Sequence, residues 1–297
     1  MPSLKDIKSR IGSMFMNWFN FGISVRSESV CYVNKTYKND IEFTDGLYRS
    51  FTKHYRGTSN FYIVCPPDDV TLFSTRFPNV KIVNELDLLS KAGYDYNLFC
   101  SMEGGRQQQV IKLIFYLYDS TIKYYITLDS DMLIVKNFDN KVFFHNGKIK
   151  TVYRAGSHSL YGNIVNNHLG ITNDTPHFVN AYGLVNVEVL KLFKNFLQER
   201  GISNFIEMIK LAPVEYEWYG KYIYFFQHQH FFPMDSRLVI GIQGFVDDSD
   251  YTKHVPESDI YNTYKRLSNK RNVIMTHLQY HTRHRGKTLT QIIKDNG

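Results

Sequence analysis

Two aspartates separated by a single residue, Asp129 and Asp131, are the side chains of this sequence best suited to chemistry. They follow residues 124–128, a run of β-branched and aromatic residues typical of a buried strand, and a second apolar run begins directly after them. In an extended chain, residues i and i+2 point to the same side, so the two carboxylates would converge on one spot. Carboxylates this close repel each other unless a cation or a proton lies between them. A divalent ion, Mn²⁺ or Mg²⁺, is therefore the expected partner.

A tight turn is the alternative interpretation of the same residues. In that case Asp129 and Ser130 would only accept hydrogen bonds from nearby backbone N–H groups. The surrounding elements have to decide between the two, because a pattern of three residues often occurs by chance.

The composition is that of a globular protein with a substantial core, since 43% of the 297 residues are hydrophobic and 21% are charged. A formal net charge of +7 favours anionic partners, but no concentrated lysine and arginine face indicates nucleic-acid binding. The three cysteines lie far apart, which argues against a disulfide framework or a Cys-x-x-Cys zinc site. Because the sequence shows no export signal and no apolar run of about 20 residues, we expect a cytoplasmic protein.

The first 24 residues have the pattern of a basic amphipathic helix. Apolar residues recur at spacings of three and four from Leu4 to Trp18, with basic residues between them. Such a helix either binds a membrane surface or packs against the domain or a second subunit of a homodimer. We assign residues 1–28 to this helix and residues 29–297 to one domain.

Strands and helices alternate through the next part of the chain. The predicted elements are a strand at 30–34, a helix at 40–55, a strand at 60–65, a short helix to residue 77, a strand at 80–83 and a helix at 107–118. This order predicts an α/β fold with a mostly parallel central sheet flanked by helices. The dinucleotide-binding Gly-x-Gly-x-x-Gly motif and the P-loop motif are both missing from the sequence. Ligands of such sheets bind beyond the carboxyl ends of the strands, where Asp129 and Asp131 lie.

Beyond residue 140 the alternation is weaker. A strand or loop is predicted at 177–187 and a helix at 189–200. The segment 213–220 is followed by a helix that runs to about residue 228, and a last strand is predicted at 273–276.

Four motifs, in this order along the chain, resemble those of nucleotide-sugar glycosyltransferases of the GT-A fold. They are a Tyr-x-x-Asp after the first strand (Tyr37 and Asp40), a Gln-Gln-x-x-Lys-Leu helix (108–113), the Asp-x-Asp strand end (129–131) and a Glu-Tyr-Glu-x-Tyr-Gly segment (215–220). The set is similar to that of a family found in bacterial capsule clusters and large DNA viruses, and it covers residues 29 to about 225. The resemblance implies a Rossmann-like GT-A domain in which residues 29–140 bind a nucleotide sugar and residues 141–297 bind the acceptor.

The resemblance further implies metal-dependent transfer of a hexose or pentose from a nucleoside diphosphate sugar, with UDP-sugar as the leading candidate, to a glycan hydroxyl. Asp129 and Asp131 would hold Mn²⁺ or Mg²⁺, and the ion would neutralise the diphosphate leaving group. His277 is the expected third ligand and His281 the second choice; an ordinary polar histidine is the alternative. The residues expected to bind the donor are Asn34, Thr36, Tyr37, Asp40, Arg106, Gln108, Gln109, Lys112 and Asp129.

Some of these donor-binding roles have structural alternatives. Lys112 and Arg106 would bind phosphate oxygens, but Lys112 could equally pair with an acid on the helix surface. Tyr37 would stack on the base, whereas Asp40 would bind the base or only cap the following helix.

Glu217 and Glu215 are the candidates for the general base that an inverting transfer requires. They are two residues apart, so only one of them can face the sugar from a helix, whereas both could from an extended lead-in to the helix. Glu217 is the preferred one. A retaining enzyme would need no such base, and both glutamates would then bind sugar hydroxyls.

Two other functions remain open. A nucleotidyltransferase also combines an α/β sheet with an acidic metal site, but it would carry a glycine-rich basic loop after the first strand, and residues 34–38 lack glycine. A non-catalytic sugar-binding module is the second, and the intact Asp-Ser-Asp argues against it. We expect no nucleic-acid partner. For residues 1–24, packing against the domain or a second subunit is favoured, and a peripheral membrane contact is the alternative. The viral side of the resemblance is compatible with a virus-encoded protein.

Overall fold

The computed structural model describes residues 30–153, 161–172, 176–178, 182–235, 243–245 and 274–277. The predicted amphipathic helix at residues 1–28 and the alternative metal ligand His281 lie outside the described residues. Of the described helices, none combines the length and the apolar character needed to cross a membrane.

The strands of the described residues fall into one large and two small sheets. They are β1 (Val30–Lys35), β2 (Phe61–Cys65), β3 (Lys81–Asn84), β4 (Tyr124–Leu128), β5 (Met132–Ile134), β6 (Phe144–His145), β7 (Lys148–Tyr153), β8 (Tyr182–Asn186), β9 (Phe231–Asp235), β10 (Gln243–Phe245) and β11 (Met275–His277). The α-helices are α1 (Ile41–His54), α2 (Val70–Arg76), α3 (Glu85–Ala92), α4 (Tyr96–Cys100), α5 (Gly104–Ile114), α6 (Tyr161–Leu169), α7 (Val187–Glu199), α8 (Phe205–Leu211) and α9 (Glu215–Phe226).

The central sheet has the strand order β3-β2-β1-β4-β8. Its first four strands are parallel to their neighbours, and β8 runs antiparallel to β4. Helices in the crossovers flank the sheet, so every residue of β1 and β2 is buried, as their nearly continuous apolar sequence requires. The predicted α/β class, with a mostly parallel sheet between helices, is confirmed.

The two small sheets pack beside the central one and bring distant parts of the chain together. One has the order β10-β11-β5, and the other has the order β6-β7-β9. Strands β6 and β7 form a hairpin through Asn146 and Gly147, whose φ angles of 49° and 77° lie in the left-handed region. An Asn-Gly pair favours this turn because both residues tolerate positive φ.

Several element boundaries differ from those predicted. Helix α5 begins at Gly104, three residues before the predicted start, and the side-chain amide of Gln107 donates to the carbonyls of Phe99, Cys100 and Met102 at the end of α4. The Glu-rich segment from residue 215 is the first turn of α9 itself and not an extended lead-in. Both glutamates of that segment are therefore fixed by helix geometry.

Candidate functional site

The backbone between β4 and β5 closes a tight turn. The N–H of Met132 donates to the carbonyl oxygen of Asp129 at 3.2 Å, so the expectation of extended chain at residues 129–131 is wrong and the turn interpretation is right for the backbone. The side chain of Asp129 nevertheless does more than satisfy a turn, because its recorded partners are side chains of α5. The turn lies at the carboxyl edge of the central sheet, as predicted.

Asn34, at the end of β1, fixes this turn from below. Its side chain is fully buried, and its amide nitrogen donates to the carbonyl of Leu128 at 2.9 Å and to the hydroxyl of Ser130 at 3.1 Å. Its side-chain oxygen accepts a bond from Thr44 at 3.3 Å, and Thr44 also bonds Thr36 at 2.8 Å. Asn34 and Thr36, predicted to bind the donor, are thus committed to holding the strand ends and α1 together.

Lys112 of α5 lies between two carboxylates. Its ammonium nitrogen is 2.8 Å from Asp129 Oδ1 and 3.0 Å from Glu215 Oε1, and its side chain is 6% exposed. Gln108, one turn earlier in α5, donates its amide to the same Oδ1 at 3.1 Å. Lys112 therefore pairs with an acid of the Asp-x-Asp turn and is not an exposed lysine free to bind a phosphate. We call Gln108, Lys112, Asp129 and Glu215 the acid–lysine cluster.

Aromatic side chains and the sheet enclose the acid–lysine cluster. The ring of Tyr216 lies under the Lys112 ammonium, 4.9 Å from centroid to nitrogen, and its hydroxyl is 2.5 Å from the hydroxyl of Thr127 in β4. Tyr125, also in β4, donates its hydroxyl to the backbone carbonyl of Lys112 at 2.7 Å and so attaches α5 to the sheet. Gly183 in β8 leaves the space that the Tyr216 ring occupies.

Burial and charge act in opposite directions on the acid–lysine cluster. Burial acts to lower the pKa of Lys112, but the carboxylates of Asp129 and Glu215 outweigh it and raise the pKa above its ordinary value. For Glu215, burial is the largest cause and raises the pKa, while the Lys112 ammonium opposes the shift. The lysine therefore stays charged, and Glu215 binds protons more readily than an exposed glutamate.

Glu217 lies away from this cluster. Its side chain is fully buried, with one oxygen 2.9 Å from the Lys221 ammonium and the other accepting the Phe178 N–H at 2.6 Å. Lys221 is equally buried and also donates to the Gly162 carbonyl and to Asn166. These contacts are those of a structural carboxylate that fastens α9 to α6, whereas Glu215 contacts the acid–lysine cluster directly. The base role predicted for either residue stays a prediction.

The fit of a divalent ion depends on three positions. The side-chain hydrogen bonds of Asp129 with Gln108 and Lys112 both use Oδ1. Asp131, two residues later, is half-buried. His277 is the register partner of Met132 in the antiparallel pair of β11 and β5, so its backbone lies beside the turn that carries both aspartates. Among side chains that the structure describes, no group of three or more metal-ligating residues forms, and the His277 side chain lies outside that set. Two carboxylates are ligands of the type that a hard divalent ion prefers, and the metal site stays a prediction.

The remaining predicted donor residues are not bonded to the acid–lysine cluster. Tyr37 precedes the short helical turn after β1, and Asp40 ends that turn. Asp40 is also the N-cap residue of α1, but its side chain makes no capping hydrogen bond. Arg106 and Gln109 are half-buried on α5 and make no recorded bond to Asp129. Sequence reasoning missed Thr127 and Tyr216, although Tyr216 stands between the two glutamates that it singled out.

Residues 28–171 match the model of a family of unknown function (DUF6492). A search of curated proteins found no match. Mouse xyloside xylosyltransferase 1, in its apo form, is a similar solved structure with 11% identity and a TM-score of 0.44 over 84% of this chain and 97% of that one. The apo bifunctional glycosyltransferase WbbM has 14% identity and a TM-score of 0.46 over 94% of this chain and 53% of its own. The galactosyltransferase LgtC, in complex with donor and acceptor sugar analogues, has 11% identity and a TM-score of 0.47 over 89% and 95%. At these values the likeness assigns no function to the chain.

Proposed function

We propose that this protein is a metal-dependent glycosyltransferase of the GT-A fold, which moves a sugar from a nucleoside diphosphate sugar to a hydroxyl of a glycan acceptor. The observation that carries the proposal is the asymmetric anchoring of Asp129. Gln108 and Lys112 both bind Oδ1, so that, among the residues that the structure describes, Oδ2 is left for a ligand beside Asp131. Four motifs in the order typical of this enzyme class support the same assignment.

The residues that would hold the ion are Asp129, Asp131 and His277. When bound, Mn²⁺ or Mg²⁺ would supply the positive charge that a diphosphate leaving group needs. The chain orients these ligands through its own hydrogen bonds. Asn34 binds the hydroxyl of Ser130 between the two acids, and Lys112 fixes the plane of the Asp129 carboxylate.

Lys112 and Glu215 are positioning residues in this proposal. The ammonium of Lys112 compensates the charge of two carboxylates, of which Glu215 is 7% exposed in its side chain. Because Glu215 binds the same ammonium as Asp129, it helps to hold the Lys112 side chain in place beside the turn. The chain thus presents a carboxylate of fixed geometry to the donor's diphosphate and its ion.

UDP-sugars are the first donors to test, and Mn²⁺ is the first ion, by the resemblance of the four motifs to UDP-sugar transferases. The capsule or viral setting, the membrane contact through residues 1–24 and a homodimer remain predictions of the sequence alone.

A panel of nucleotide sugars tests the proposal. Each sugar is incubated with the full-length protein, with Mn²⁺, Mg²⁺ or a chelator, and release of the nucleoside diphosphate is measured. Release from one donor that requires the divalent ion is the expected result. Binding of that nucleotide sugar, measured by calorimetry with and without Mn²⁺, is the second readout and does not depend on finding the acceptor. No ion-dependent binding or release across the panel would overturn the proposal.

A further inference from the structure

A small cavity lies along β8, the edge strand of the central sheet as far as the structure describes it. Its volume is about 30 Å³. Lys150 of β7, Gly183 of β8 and the aromatic residues Tyr216, Tyr219 and Phe178 are among the residues that line it. The acid–lysine cluster does not use this cavity, but both share Tyr216.

Lys150 is a half-buried lysine without an acidic partner. No carboxylate of the described residues lies within ion-pair distance of its ammonium, whereas the buried lysines Lys35, Lys112 and Lys221 each have one. Burial lowers the pKa of Lys150, because its charged form is poorly solvated there. A half-buried ammonium of this kind gains free energy from an anion that enters the cavity.

The hairpin of β6 and β7 is basic throughout. It carries His145, Lys148 and Lys150 and no carboxylate between residues 144 and 153. Lys150 contributes to a lowered pKa of His145, after the larger effect of burial, so the two groups lie close enough to share an electric field. The electrostatic potential on the hairpin side of the cavity is therefore positive, in line with the net charge of +7 of the whole chain.

The cavity lies one strand away from the catalytic edge. Tyr182, which lines it, is the register partner of Leu128, the residue directly before Asp129. Neighbouring strands are about 4.8 Å apart. The ring of Tyr216 forms part of the cavity wall and also lies under the Lys112 ammonium. The cavity and the acid–lysine cluster are therefore neighbours that share one aromatic side chain.

We propose that this cavity is a subsite for the carboxylate of an acidic sugar in the acceptor glycan, with the Lys150 ammonium as its counter-charge and the sugar ring outside the cavity. A volume of about 30 Å³ has room for about two water-sized groups, which is enough for the two oxygens of a carboxylate. The inference rests on the proposed function, since it assigns the carboxylate to the acceptor.

The test measures binding of D-glucuronate and D-glucose to the full-length protein by saturation-transfer NMR. Glucuronate should bind at least about tenfold more tightly than glucose, and Lys150→Met should remove that preference. Lys150→Arg keeps the charge and should retain it. Lys141→Met, which removes an exposed lysine of the preceding turn, is the matched control and should behave as the unchanged protein.

Equal binding of the two sugars, or a preference that survives Lys150→Met, would overturn the subsite. A preference for inorganic phosphate over glucuronate at the same residue would overturn the carboxylate assignment. Ion-dependent hydrolysis of the donor is measured separately, and Lys150→Met should leave it unchanged because Lys150 does not contact the acid–lysine cluster. Donor hydrolysis without glucuronate preference would sustain the proposed function alone. Lys150-dependent glucuronate binding without donor hydrolysis would sustain an acid-binding site and reject the transferase.

Discussion

The ammonium of Lys112 lies 2.8 Å from Asp129 Oδ1, and this pair joins the middle of a helix to the turn that carries both aspartates. The side chain of Lys112 is 6% exposed, whereas that of Asp129 is 22% exposed. The pair is therefore open to a ligand only on the side of the aspartate. Lys112 supports the site from behind, and its loss would change both the charge and the geometry that Asp129 presents.

Replacement of Lys112 by methionine should destabilise the protein. The substitution leaves Glu215 buried without its counter-charge, next to Asp129, and breaking a buried ion pair in this way costs about 3–5 kcal/mol. Urea denaturation measures the change in the free energy of unfolding. Lys210→Met removes an exposed lysine of α8 and should change it by less than about 0.5 kcal/mol. If the two variants had the same free energy of unfolding, the ion pairs of Lys112 would not stabilise the protein.

Asp131→Ala should abolish ion-dependent turnover of the donor while the fold remains intact. Loss of a direct ligand should lower Mn²⁺-dependent release of the nucleoside diphosphate by at least about 100-fold, since even the groups that orient ligands are worth 10–100-fold. Electron paramagnetic resonance of Mn²⁺ gives a binding readout that needs no substrate. Asp87→Ala, at an exposed position of α3, is the control and should bind Mn²⁺ like the unchanged protein. Full activity of Asp131→Ala would remove Asp131 from the metal site.

The strands β1 to β4 and their parallel arrangement can be predicted from local pattern, because buried parallel strands are nearly continuous apolar runs separated by segments of helical periodicity. The partners of Lys112 do not follow from local pattern. Glu215 is 103 residues away in sequence, and only the packing of α9 on α5 brings the two together. The burial of Glu217 also depends on the position of α9. Because the helix starts at Glu215, the two glutamates point to different faces, whereas in extended chain they would point to the same side.

One signal was present in the sequence but not used. Asn146 and Gly147 are the residue pair that favours a tight hairpin, and they stand between two strands of the small sheet. That hairpin brings Lys150 to the edge of the central sheet. The extended form expected at residues 129–131 failed for a different reason, since the bond between Met132 and Asp129 reverses the chain at once.

Glu215→Gln and Glu217→Gln should separate a role in the site from a role in the fold. Glu217→Gln leaves the fully buried Lys221 without its counter-charge, so it should lower the free energy of unfolding by about 3–5 kcal/mol. Glu215→Gln leaves Lys112 its pair with Asp129 and should cost less stability, but it should reduce sugar transfer by about 100-fold or more if Glu215 is the base. Steady-state kinetics and urea denaturation are measured on both variants. A Glu217→Gln protein that is as stable as the unchanged protein but inactive would return the base role to Glu217.

The raised pKa of Glu215 predicts a specific pH dependence of stability. Between the ordinary value of 4.5 and the raised folded value, the folded state binds more protons at this position than the unfolded state. The free energy of unfolding should therefore fall as the pH rises through this window, and the fall should be absent in Glu215→Gln. Urea denaturation at pH 4.5 to 7.5 gives the difference between the two proteins.

Glu207 supplies the control for that pH series. Hydrogen bonds from Ser203 lower its pKa, so its stabilising effect is lost only as the pH falls below 4.5. The difference between the unchanged protein and Glu207→Gln should thus stay constant above about pH 5.5, where this carboxyl is charged in both states. A constant difference for Glu215→Gln as well would mean that Glu215 is charged throughout and that Lys112 outweighs burial.

Gly183→Ala should disturb the site through Tyr216. A methyl group at position 183 would overlap the Tyr216 ring, whose hydroxyl is already bonded to Thr127 and whose face lies under the Lys112 ammonium. Because the half-buried ring already makes both of these contacts, it can move only by shifting one of them, and overpacking of this kind costs about 1–3 kcal/mol. Gly104→Ala is the matched control: a methyl group there meets open space in the first turn of α5, so stability should stay equal or rise. Urea denaturation and Mn²⁺-dependent donor binding are measured on both variants, and unchanged values for Gly183→Ala would show that Tyr216 does not position Lys112.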